Sequence, residues 1–211
     1  AEADFCTMVT RNGKIKRVAL SNFEAVRPSG LIAIGLAAGD VLGWVRLSLS
    51  GQSVLIITSL GQAVRFSSDL VRPMGRSAAG VKGINLREGD CVTGAEVEKD
   101  DTSELLVVTA GGYGKRTSIS AYPTKGRGTR GVTTIARKML SRTGPVVAVL
   151  SVLPDDQITM ITTNGQALRT RVANIPKLGR ATMGSRLIRL ADGDTVASVA
   201  RLAASDLEVT E

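Results

Sequence analysis

Arginines that follow glycine in a polar loop are the residues of this chain with the clearest potential chemistry. The stretch Gly126-Arg-Gly-Thr-Arg-Gly131 matches the G-x-G-x-x-G pattern of dinucleotide sites. Such a site needs a strand before the glycines, a helix after them and an acidic residue about 20 positions further on. Here the stretch follows a loop containing proline and leads into Val-Thr-Thr-Ile. We therefore interpret it as a flexible loop whose amide and guanidinium groups approach phosphate.

Copies of this loop occur along the chain. They read Gly75-Arg76-x-x-x-Gly80, Gly126-Arg127-x-x-x-Gly131 and Gly179-Arg180-x-x-x-Gly184, with a shorter Arg27-Pro-Ser-Gly30 near the start. Arginines at one loop position of a repeated structure are expected along one rim, where they can bind phosphate. Alternatively, each arginine pairs with the carboxylate of a Gly-Asp turn, such as Gly39-Asp40, Gly89-Asp90 or Gly193-Asp194. The two roles are compatible.

A second set of arginines lies on predicted strands, at Arg17, Arg65, Arg116 and Arg169. Each shares a strand face with Ile15, Ala63, Gly114 or Ala167, which allows a covered, ion-paired arginine as well as a phosphate contact. The sequence leaves both alternatives open.

Enzymatic chemistry has little support in the sequence. The chain has no histidine, and histidine is the usual general base and the commonest zinc ligand. No P-loop, HExxH motif or paired CxxC occurs. We expect no catalytic residue, no metal site and no cofactor. Cys6 and Cys91 do not occupy equivalent positions, so we expect free thiols in a reducing cytoplasm.

The element that must position the arginines is a repeat with the skeleton T-x-x-G-x-x-x-R. Its turn glycines are Gly13, Gly61, Gly112 and Gly165, which are 48, 51 and 53 residues apart. A period near 50 without a helical pattern is typical of propeller blades. We predict an all-β fold, a β-pinwheel or propeller-like array of four-stranded blades that forms a single domain over residues 1–211. The blades are approximately residues 1–51, 52–101, 102–156 and 157–211.

The second repeat shows the predicted strands most clearly. Val54 to Thr58 and Gln62 to Phe66 form a hairpin, a third strand begins at Gly80, and a fourth runs from Cys91 to Val97. Asn12-Gly13, Gly111-Gly112 and Asn164-Gly165 suit a turn with positive φ at both residues. Leu60 fits that turn badly and suggests a bulged variant. One apolar position recurs in the third strand and is predicted to form a core layer: Ile34, Ile84, Ile135 and Ile188.

Charge indicates the class of partner. Lys plus Arg number 27 against 19 acidic residues, the net charge is +8 and the pI is about 10.0, which favours a polyanion. No run of 18 apolar residues occurs, so nucleic acid is preferred over a membrane.

With 3 Phe, 2 Tyr and 1 Trp there is no stacking platform for bases. We expect backbone binding to duplex DNA without sequence preference. If ten phosphates were bound, log K would fall with a slope of about −9 against log salt.

The third repeat is the most basic, with a net charge of +5 in residues 102–156. Phosphate contact needs only positive charge at a suitable height, so contacts are expected in all four repeats. The predicted DNA contacts are Lys16, Arg17, Arg27, Arg65, Arg72, Arg76, Lys82, Lys115, Arg116, Lys125, Arg127, Arg130, Arg169, Arg171, Lys177 and Arg180.

Four stretches, in order, resemble the later blades of one known family, the C-terminal β-pinwheel domain of the bacterial DNA gyrase A protein. They are Val64-Arg-Phe with Val71-Arg-Pro-Met-Gly, Gly112-Tyr-Gly-Lys-Arg-Thr, Tyr122-Pro-Thr-Lys with Arg127 and Gly131-Val, and Thr162-x-x-Gly165 with Leu168-Arg-Thr-Arg-Val. The resemblance implies a non-catalytic domain that binds and bends duplex DNA for an ATP-dependent topoisomerase. Its partners would be the catalytic core and the B subunit of gyrase. It also implies that neither Tyr113 nor Tyr122 is the tyrosine that cleaves DNA.

One departure from the family pattern leaves alternatives open. The family usually has six blades and a glycine-rich basic box in the first, whereas this chain has four repeats and no such box. The chain is therefore expected to be a fragment or a shortened homologue such as the topoisomerase IV counterpart. A propeller that binds proteins, with structural arginines, is the other alternative. Missing blades would leave unpaired strand edges, so we expect an open arc or a strand-sharing oligomer.

Overall fold

The computed structural model describes residues 3–26, 28–98 and 102–207, and its regular structure is almost entirely antiparallel β-sheet. None of the helices in these residues is long and apolar enough to cross a membrane. The helices are the short α1 (Leu140–Thr143) and α2 (Ala204–Leu207), and 3-10 turns at Leu20–Phe23, Ser68–Leu70, Ile119–Ala121, Arg137–Met139 and Val172–Asn174. The strands are β1 (Phe5–Thr10), β2 (Lys14–Ala19), β3 (Leu42–Ser48), β4 (Ser53–Thr58), β5 (Gln62–Ser67), β6 (Val81–Lys82), β7 (Val92–Val97), β8 (Glu104–Thr109), β9 (Tyr113–Ser118), β10 (Val132–Thr133), β11 (Val146–Val152), β12 (Gln157–Thr162), β13 (Ala167–Arg171), β14 (Ser185–Arg186) and β15 (Val196–Leu202).

The strands form four sheets, one for each repeat. The strand orders are β3-β1-β2-β6, β10-β5-β4-β7, β11-β8-β9-β14 and β13-β12-β15. The predicted all-β fold with four repeats is confirmed, although the fourth sheet has three strands among the described residues.

The chain divides into two compact units. The first comprises Ala1–Thr58, Ala63–Lys99 and Pro123–Val132, and the second comprises Ser59–Gln62, Asp100–Tyr122 and Thr133–Glu211. The prediction of a single continuous domain stays a prediction.

Aliphatic side chains form the core of each unit. In the first unit the buried cluster includes Ile15, Ile56 and Ile84, and in the second it includes Leu106 and Ile188. Of the four isoleucines predicted as a core layer, Ile84, Ile135 and Ile188 are buried and Ile34 is half-buried. The layer is therefore confirmed, with its least covered member in the first repeat.

In the second, third and fourth repeats, the third strand does not belong to the sheet in which the sequence placed it. Val81 and Lys82 pair with Ile15 and Lys14, so β6 of the second repeat completes the first sheet. In the same way β10 adds to β5 and β14 adds to β9. The predicted blade boundaries are therefore wrong for this strand, because periodicity locates a strand along the chain and carries no information about which sheet accepts it.

Glycine makes this strand donation possible. Gly80 precedes β6 with φ +81°, and a Cβ there would lie 2.5 Å from the Ile15 carbonyl oxygen. Gly184 precedes β14 with φ +85°, and a Cβ there would lie 2.7 Å from the Gly114 carbonyl oxygen. An L-residue with a side chain would clash at both places. Gly30, at the same position of the first repeat, has φ +76° and no neighbour within 4 Å.

The hairpin turns follow a different rule from the one predicted. Gly13, Gly61, Gly112 and Gly165 have positive φ, but the residue before each of them does not. The amide of Gly13 donates to the Thr10 carbonyl at 3.0 Å, and the Thr10 hydroxyl accepts from the Lys14 amide at 3.1 Å. A type I turn followed by a left-handed glycine explains why Leu60 is tolerated. The prediction of positive φ at both residues is wrong, and the T-x-x-G skeleton is itself the turn signal.

Candidate nucleic-acid interface

Three of the four strand arginines form ion pairs within the protein. Arg17 Nη1 lies 3.0 Å from Asp69 Oδ1 and also donates to the Ser68 hydroxyl at 3.1 Å. Arg65 Nη2 lies 2.6 Å from Glu98 Oε2, and Arg116 Nη1 lies 2.7 Å from Glu104 Oε2. The side chains of these three arginines are 6, 17 and 12 % exposed. Of the two alternatives left by the sequence, this geometry supports the covered, ion-paired arginine.

The fourth strand arginine differs from the other three. Arg169 is exposed, and its Nε donates to Gln157 Oε1 at 2.7 Å. No donated strand covers β13 among the described residues, so the side chain stays at the surface. It remains available to an anion.

Two predicted DNA contacts, Lys16 and Lys115, are fully buried. Lys115 Nζ donates to the Thr134 carbonyl at 2.7 Å, the Gly179 carbonyl at 2.9 Å and the Thr182 hydroxyl at 3.1 Å. Lys16 Nζ donates to the carbonyls of Ala33 and Arg76. These ammonium groups cannot reach a phosphate outside the protein, so their assignment as direct contacts is corrected.

The buried lysines instead hold the arginine loops in place. Lys16 is bonded to the carbonyl of Arg76, and Lys115 is bonded to the carbonyl of Gly179, which directly precedes Arg180. Burial lowers the pKa of Lys16, and it lowers the pKa of Lys115 to about 8, with a smaller contribution from the charge of Arg180. The lysines therefore hold the loop backbone from inside the protein, through carbonyl groups rather than through the arginine side chains.

The loop arginines are more accessible, and their contacts are to backbone carbonyls. Arg127 is exposed and donates from Nε to the Leu70 carbonyl at 3.0 Å and from Nη1 to the Lys82 carbonyl at 3.2 Å. Arg180 donates to the Thr133 carbonyl at 3.4 Å and lies 6.0 Å from the Tyr122 ring centroid. Neutral carbonyls orient a guanidinium without cancelling its charge.

Arg76 lies at the edge of an open depression of about 720 Å³. Gly30, Leu31 and Ile32 of the first repeat also line this depression. The arginine is half-buried, so it can still meet an anion that enters the depression.

The carboxylates of the Gly-Asp turns have a role that the sequence did not indicate. Asp40 Oδ1 accepts from the amides of Asn12 at 3.0 Å and Val41 at 2.8 Å. Asp194 Oδ1 accepts from the Thr163 hydroxyl at 2.7 Å and the Asn164 amide at 3.0 Å. These two aspartates therefore cap the neighbouring hairpin turn, and the alternative that they pair with a loop arginine is not supported.

The remaining predicted contacts lie at the surface or outside the described residues. Lys177 is exposed, but its Nζ lies 2.7 Å from Glu104 Oε1, so its charge is partly neutralised. Arg27 falls outside the described residues. The exposed members of the predicted set that make no ion pair with a carboxylate in residues 3–26, 28–98 and 102–207 are Arg72, Lys82, Lys125, Arg127, Arg130, Arg169 and Arg171.

The acidic partners of the strand arginines were not foreseen from the sequence. Asp69 follows β5 and pairs with Arg17 of the preceding repeat, whereas Glu98 and Glu104 lie in the same repeats as Arg65 and Arg116. Glu104 occupies the first position of β8 in an otherwise apolar strand, Glu-Leu-Leu-Val-Val-Thr. A carboxylate that opens such a strand is the signal that was present, because a buried charge requires a partner.

The described residues contain no group of three or more potential metal ligands. Cys6 is buried, Cys91 is half-buried, and both are free thiols.

Known proteins resemble this chain in sequence. The family model described as the DNA gyrase C-terminal domain, beta-propeller, matches residues 4–45, 52–97, 103–152 and 156–203. The DNA gyrase A protein of Staphylococcus epidermidis is 40% identical over 207 residues, which are 98% of this chain and 23% of the relative. The DNA gyrase A protein of Staphylococcus aureus is 41% identical over 203 residues, which are 96% of this chain and 23% of the relative. The chain thus spans about a quarter of the length of these relatives.

Solved structures show the same similarity. The C-terminal domain of a DNA topoisomerase IV matches with a TM-score of 0.90 and 27% identity, covering 96% of this chain and 62% of that one. A DNA gyrase A C-terminal domain matches with a TM-score of 0.83 and 29% identity, covering 95% and 66%. The E. coli ParC C-terminal domain, at 16% identity and a TM-score of 0.67, covers 99% and 89% and supports the fold alone.

Proposed function

The chain belongs to the family of DNA gyrase C-terminal domains, and on that premise we propose that it binds the backbone of duplex DNA and bends it without catalysing a reaction. The observation that carries this proposal is the contrast between the two sets of arginines. Three strand arginines are neutralised by carboxylates, whereas the loop arginine Arg127 is exposed and oriented by carbonyls alone. Exposed charge on a fixed loop is suited to a phosphate.

The buried lysines contribute to this binding indirectly. Lys16 and Lys115 bind the carbonyls of Arg76 and Gly179, so the backbone that carries the side chains of Arg76 and Arg180 is held in a defined position. A loop that is already ordered loses less entropy when its arginine binds phosphate. Arginine contacts of this kind can offset a bending cost of about 1–6 kcal/mol for 20–30 base pairs.

The names of the relatives support a proposal about the wider role of the chain. We propose that the chain is part of a bacterial, cytoplasmic, ATP-dependent type II topoisomerase, in which it acts beside the catalytic core and the B subunit. The bent DNA would supply the segment that the enzyme passes, with a positive crossover, so that negative supercoils result. Tyr113 is buried at the start of β9, and Tyr122 donates to or accepts from Thr134 at 2.6 Å. Neither tyrosine has a catalytic part in this proposal.

A fluorescence anisotropy titration with a labelled 40-base-pair duplex tests DNA binding. The 211-residue chain is compared with the variant Arg76→Gln, Arg127→Gln, Arg180→Gln between 50 and 200 mM salt. Each lost phosphate contact makes the negative slope of log K against log salt shallower by about 0.9. Loss of three contacts is therefore expected to make the slope shallower by about 2.7 and to abolish binding at the higher salt concentration.

The matched control removes three exposed charges elsewhere, in the variant Arg11→Gln, Arg87→Gln, Arg137→Gln. It is expected to keep most of the affinity and the slope. If both triple variants lose the same affinity, only net charge matters and the loop assignment is wrong. If the unmodified chain does not bind duplex at 50 mM salt, the DNA-binding proposal fails and the protein-binding alternative takes its place.

A second candidate function is that of the corresponding domain of topoisomerase IV. The observation that favours it is the TM-score of 0.90 to a topoisomerase IV domain, against 0.83 to a gyrase A domain. Both candidates predict DNA binding, but only the gyrase role requires a wrap of defined handedness. A change in linking number when a nicked plasmid is ligated on the protein distinguishes them.

We also propose that unpaired edges allow copies of the chain to share strands. Among the described residues β13 accepts no donated strand, and Leu31–Ile32, at the position of β6 in the next repeat, pairs with none. Ile32 is 72% exposed. Sedimentation velocity is expected to show concentration-dependent association that Leu31→Pro abolishes, because proline removes an amide donor from the donated strand. A monomer at all concentrations would contradict this.

A further inference from the structure

Three arginines and one tyrosine of the second unit converge outside the set of predicted contacts. Arg142, Arg186 and Arg189 line a surface depression of about 470 Å³ together with Tyr113 and Ile188. The Tyr113 hydroxyl accepts from Arg186 Nη2 at 3.0 Å and from Arg142 Nε at 3.4 Å. The guanidinium carbons lie 5.4 and 5.9 Å from the centroid of the same ring. The two cations thus flank one phenol.

The scaffold explains why these residues meet. Tyr113 opens β9 directly after the hairpin turn, and Arg186 of the donated strand β14 is its cross-strand partner. Arg142 belongs to α1, in the connection that is longer in the third repeat. The amide of Gly111 donates to the Thr143 carbonyl at 2.7 Å, and a Cβ at Gly111 would lie 2.6 Å from that oxygen. Glycine is therefore required for the connection to lie against the turn and bring Arg142 to the tyrosine.

No carboxylate compensates this charge. Within residues 3–26, 28–98 and 102–207, none of the three arginines forms an ion pair with Asp or Glu, whereas Arg116 on the same strand pairs with Glu104. The hydrogen bonds from Arg186 and Arg142 lower the pKa of Tyr113. Because the phenol oxygen already accepts twice, its own proton is available to donate. The depression therefore presents hydroxyl and guanidinium donors without an acidic acceptor.

We propose that this cluster, which we name the Tyr113 site, binds one phosphate group. Planar guanidinium forks suit phosphate oxygens, and the hydroxyl adds a neutral donor. The proposal rests on the proposed function in one respect: the phosphate is taken to belong to the backbone of bound duplex DNA. The first sheet has two exposed cations at the equivalent cross-strand position, Lys14 and Lys82. That recurrence is consistent with an anion position next to the hairpin turn of more than one repeat.

The two tyrosines make the site directly observable. The chain is labelled with ¹³C at the tyrosine Cζ, and the two NMR signals are assigned with Tyr113→Phe. Sodium phosphate is titrated at constant ionic strength, with sodium chloride as the reference salt. The Tyr113 signal is expected to shift and saturate with phosphate, and to shift less with chloride at the same ionic strength. A 40-base-pair duplex should produce the same saturating shift of the Tyr113 signal.

Variants show whether the arginines cause the shift. Arg186→Gln with Arg189→Gln is expected to remove the shift and to make the negative salt slope of DNA binding shallower by about 0.9, equivalent to one phosphate. Arg186→Lys is expected to retain part of the shift, because it keeps the charge and loses the fork. The exposed Arg87→Gln is the control and should change neither measurement. Circular dichroism spectra of all variants establish that they are folded.

The outcomes separate this inference from the proposed function. A saturable shift with inorganic phosphate but not with duplex, in a chain that does bind duplex, assigns the site to small phosphates and overturns the DNA contact. A phosphate shift in a chain that binds no duplex supports the anion site and refutes the proposed function. If the Tyr113 signal responds to phosphate no more than to chloride, the inference is wrong, whether or not the chain binds DNA.

Discussion

Gly80→Ala tests the strand donation on which the whole architecture depends. Gly80 has φ +81° and leads into β6, and a Cβ there would lie 2.5 Å from the Ile15 carbonyl oxygen and 3.2 Å from the Lys16 Cβ. Gly30 occupies the same position of the first repeat with φ +76° and nothing within 4 Å. Alanine at the two positions therefore meets the same backbone strain, but only one of them adds a clash.

The expected difference follows from these two contributions. A left-handed backbone costs an L-residue about 1–2 kcal/mol, so Gly30→Ala is expected to lose about that much stability. In Gly80→Ala the strand must also move away from β2, which weakens a two-residue ladder whose hydrogen bonds contribute about 0.5–1.5 kcal/mol each. The total expected loss is about 2–5 kcal/mol, so the two variants should differ by at least about 1 kcal/mol.

Urea unfolding followed by circular dichroism measures both variants against the unmodified chain. Gly30 and Gly80 lie in the same compact unit, so the same transition reports on each of them. An equal loss of stability in Gly30→Ala and Gly80→Ala would refute the donated strand as a source of stability. A larger loss in Gly30→Ala would contradict the strand assignment altogether.

Two further predictions concern the buried charges of β9 and its neighbours. Glu104→Gln should destabilise the chain by about 3 kcal/mol, because it removes the buried carboxylate that pairs with the largely covered guanidinium of Arg116. Arg169→Gln at the exposed equivalent should change the unfolding free energy by less than about 0.5 kcal/mol, and similar values for the two variants in urea unfolding would contradict the burial argument. The lowered pKa of Lys115, about 8 against 10.5, predicts that the unfolded chain binds more protons between these pH values, so the stability of the unmodified chain should rise with pH relative to Lys115→Met across that window. A parallel pH dependence of the two proteins would contradict the shift.

The parts of the fold that repeat were predictable from sequence. The T-x-x-G skeleton located all four hairpins, and the recurring isoleucine located a core layer that includes Ile84 and Ile188. What failed was the assignment of the third strand to a sheet, because the acceptor is decided by tertiary contact between Gly80 and Ile15. The conformation of the turn was also mispredicted. Asn-Gly suits both a turn with positive φ at two residues and a type I turn followed by a left-handed glycine, and the threonine hydroxyl that accepts from the amide after the glycine accompanies the second type.

Charge alone could not separate structural from exposed cations. Lys115 and Lys125 are both lysines of the most basic repeat, yet one is fully buried on three acceptors and the other is exposed. The difference depends on whether the donated strand and its loop cover the lysine. A single sequence does not show which residues a donated strand will cover. The Tyr113 site was missed for the same reason, because Arg142 and Arg186 are 44 residues apart in the sequence and meet only through strand donation.

The most direct test of the central claim is ligation of a nicked plasmid in the presence of the chain, with the linking number read after the protein is removed. If the exposed loop arginines bind duplex DNA and bend it into a wrap of one handedness, the distribution of topoisomers should shift by an amount that saturates with protein. The shift should be absent with Arg76→Gln, Arg127→Gln, Arg180→Gln and retained with the matched control at Arg11, Arg87 and Arg137. Plasmid that is fully bound by the unmodified chain but ligates with an unchanged linking number would contradict a wrap of defined handedness.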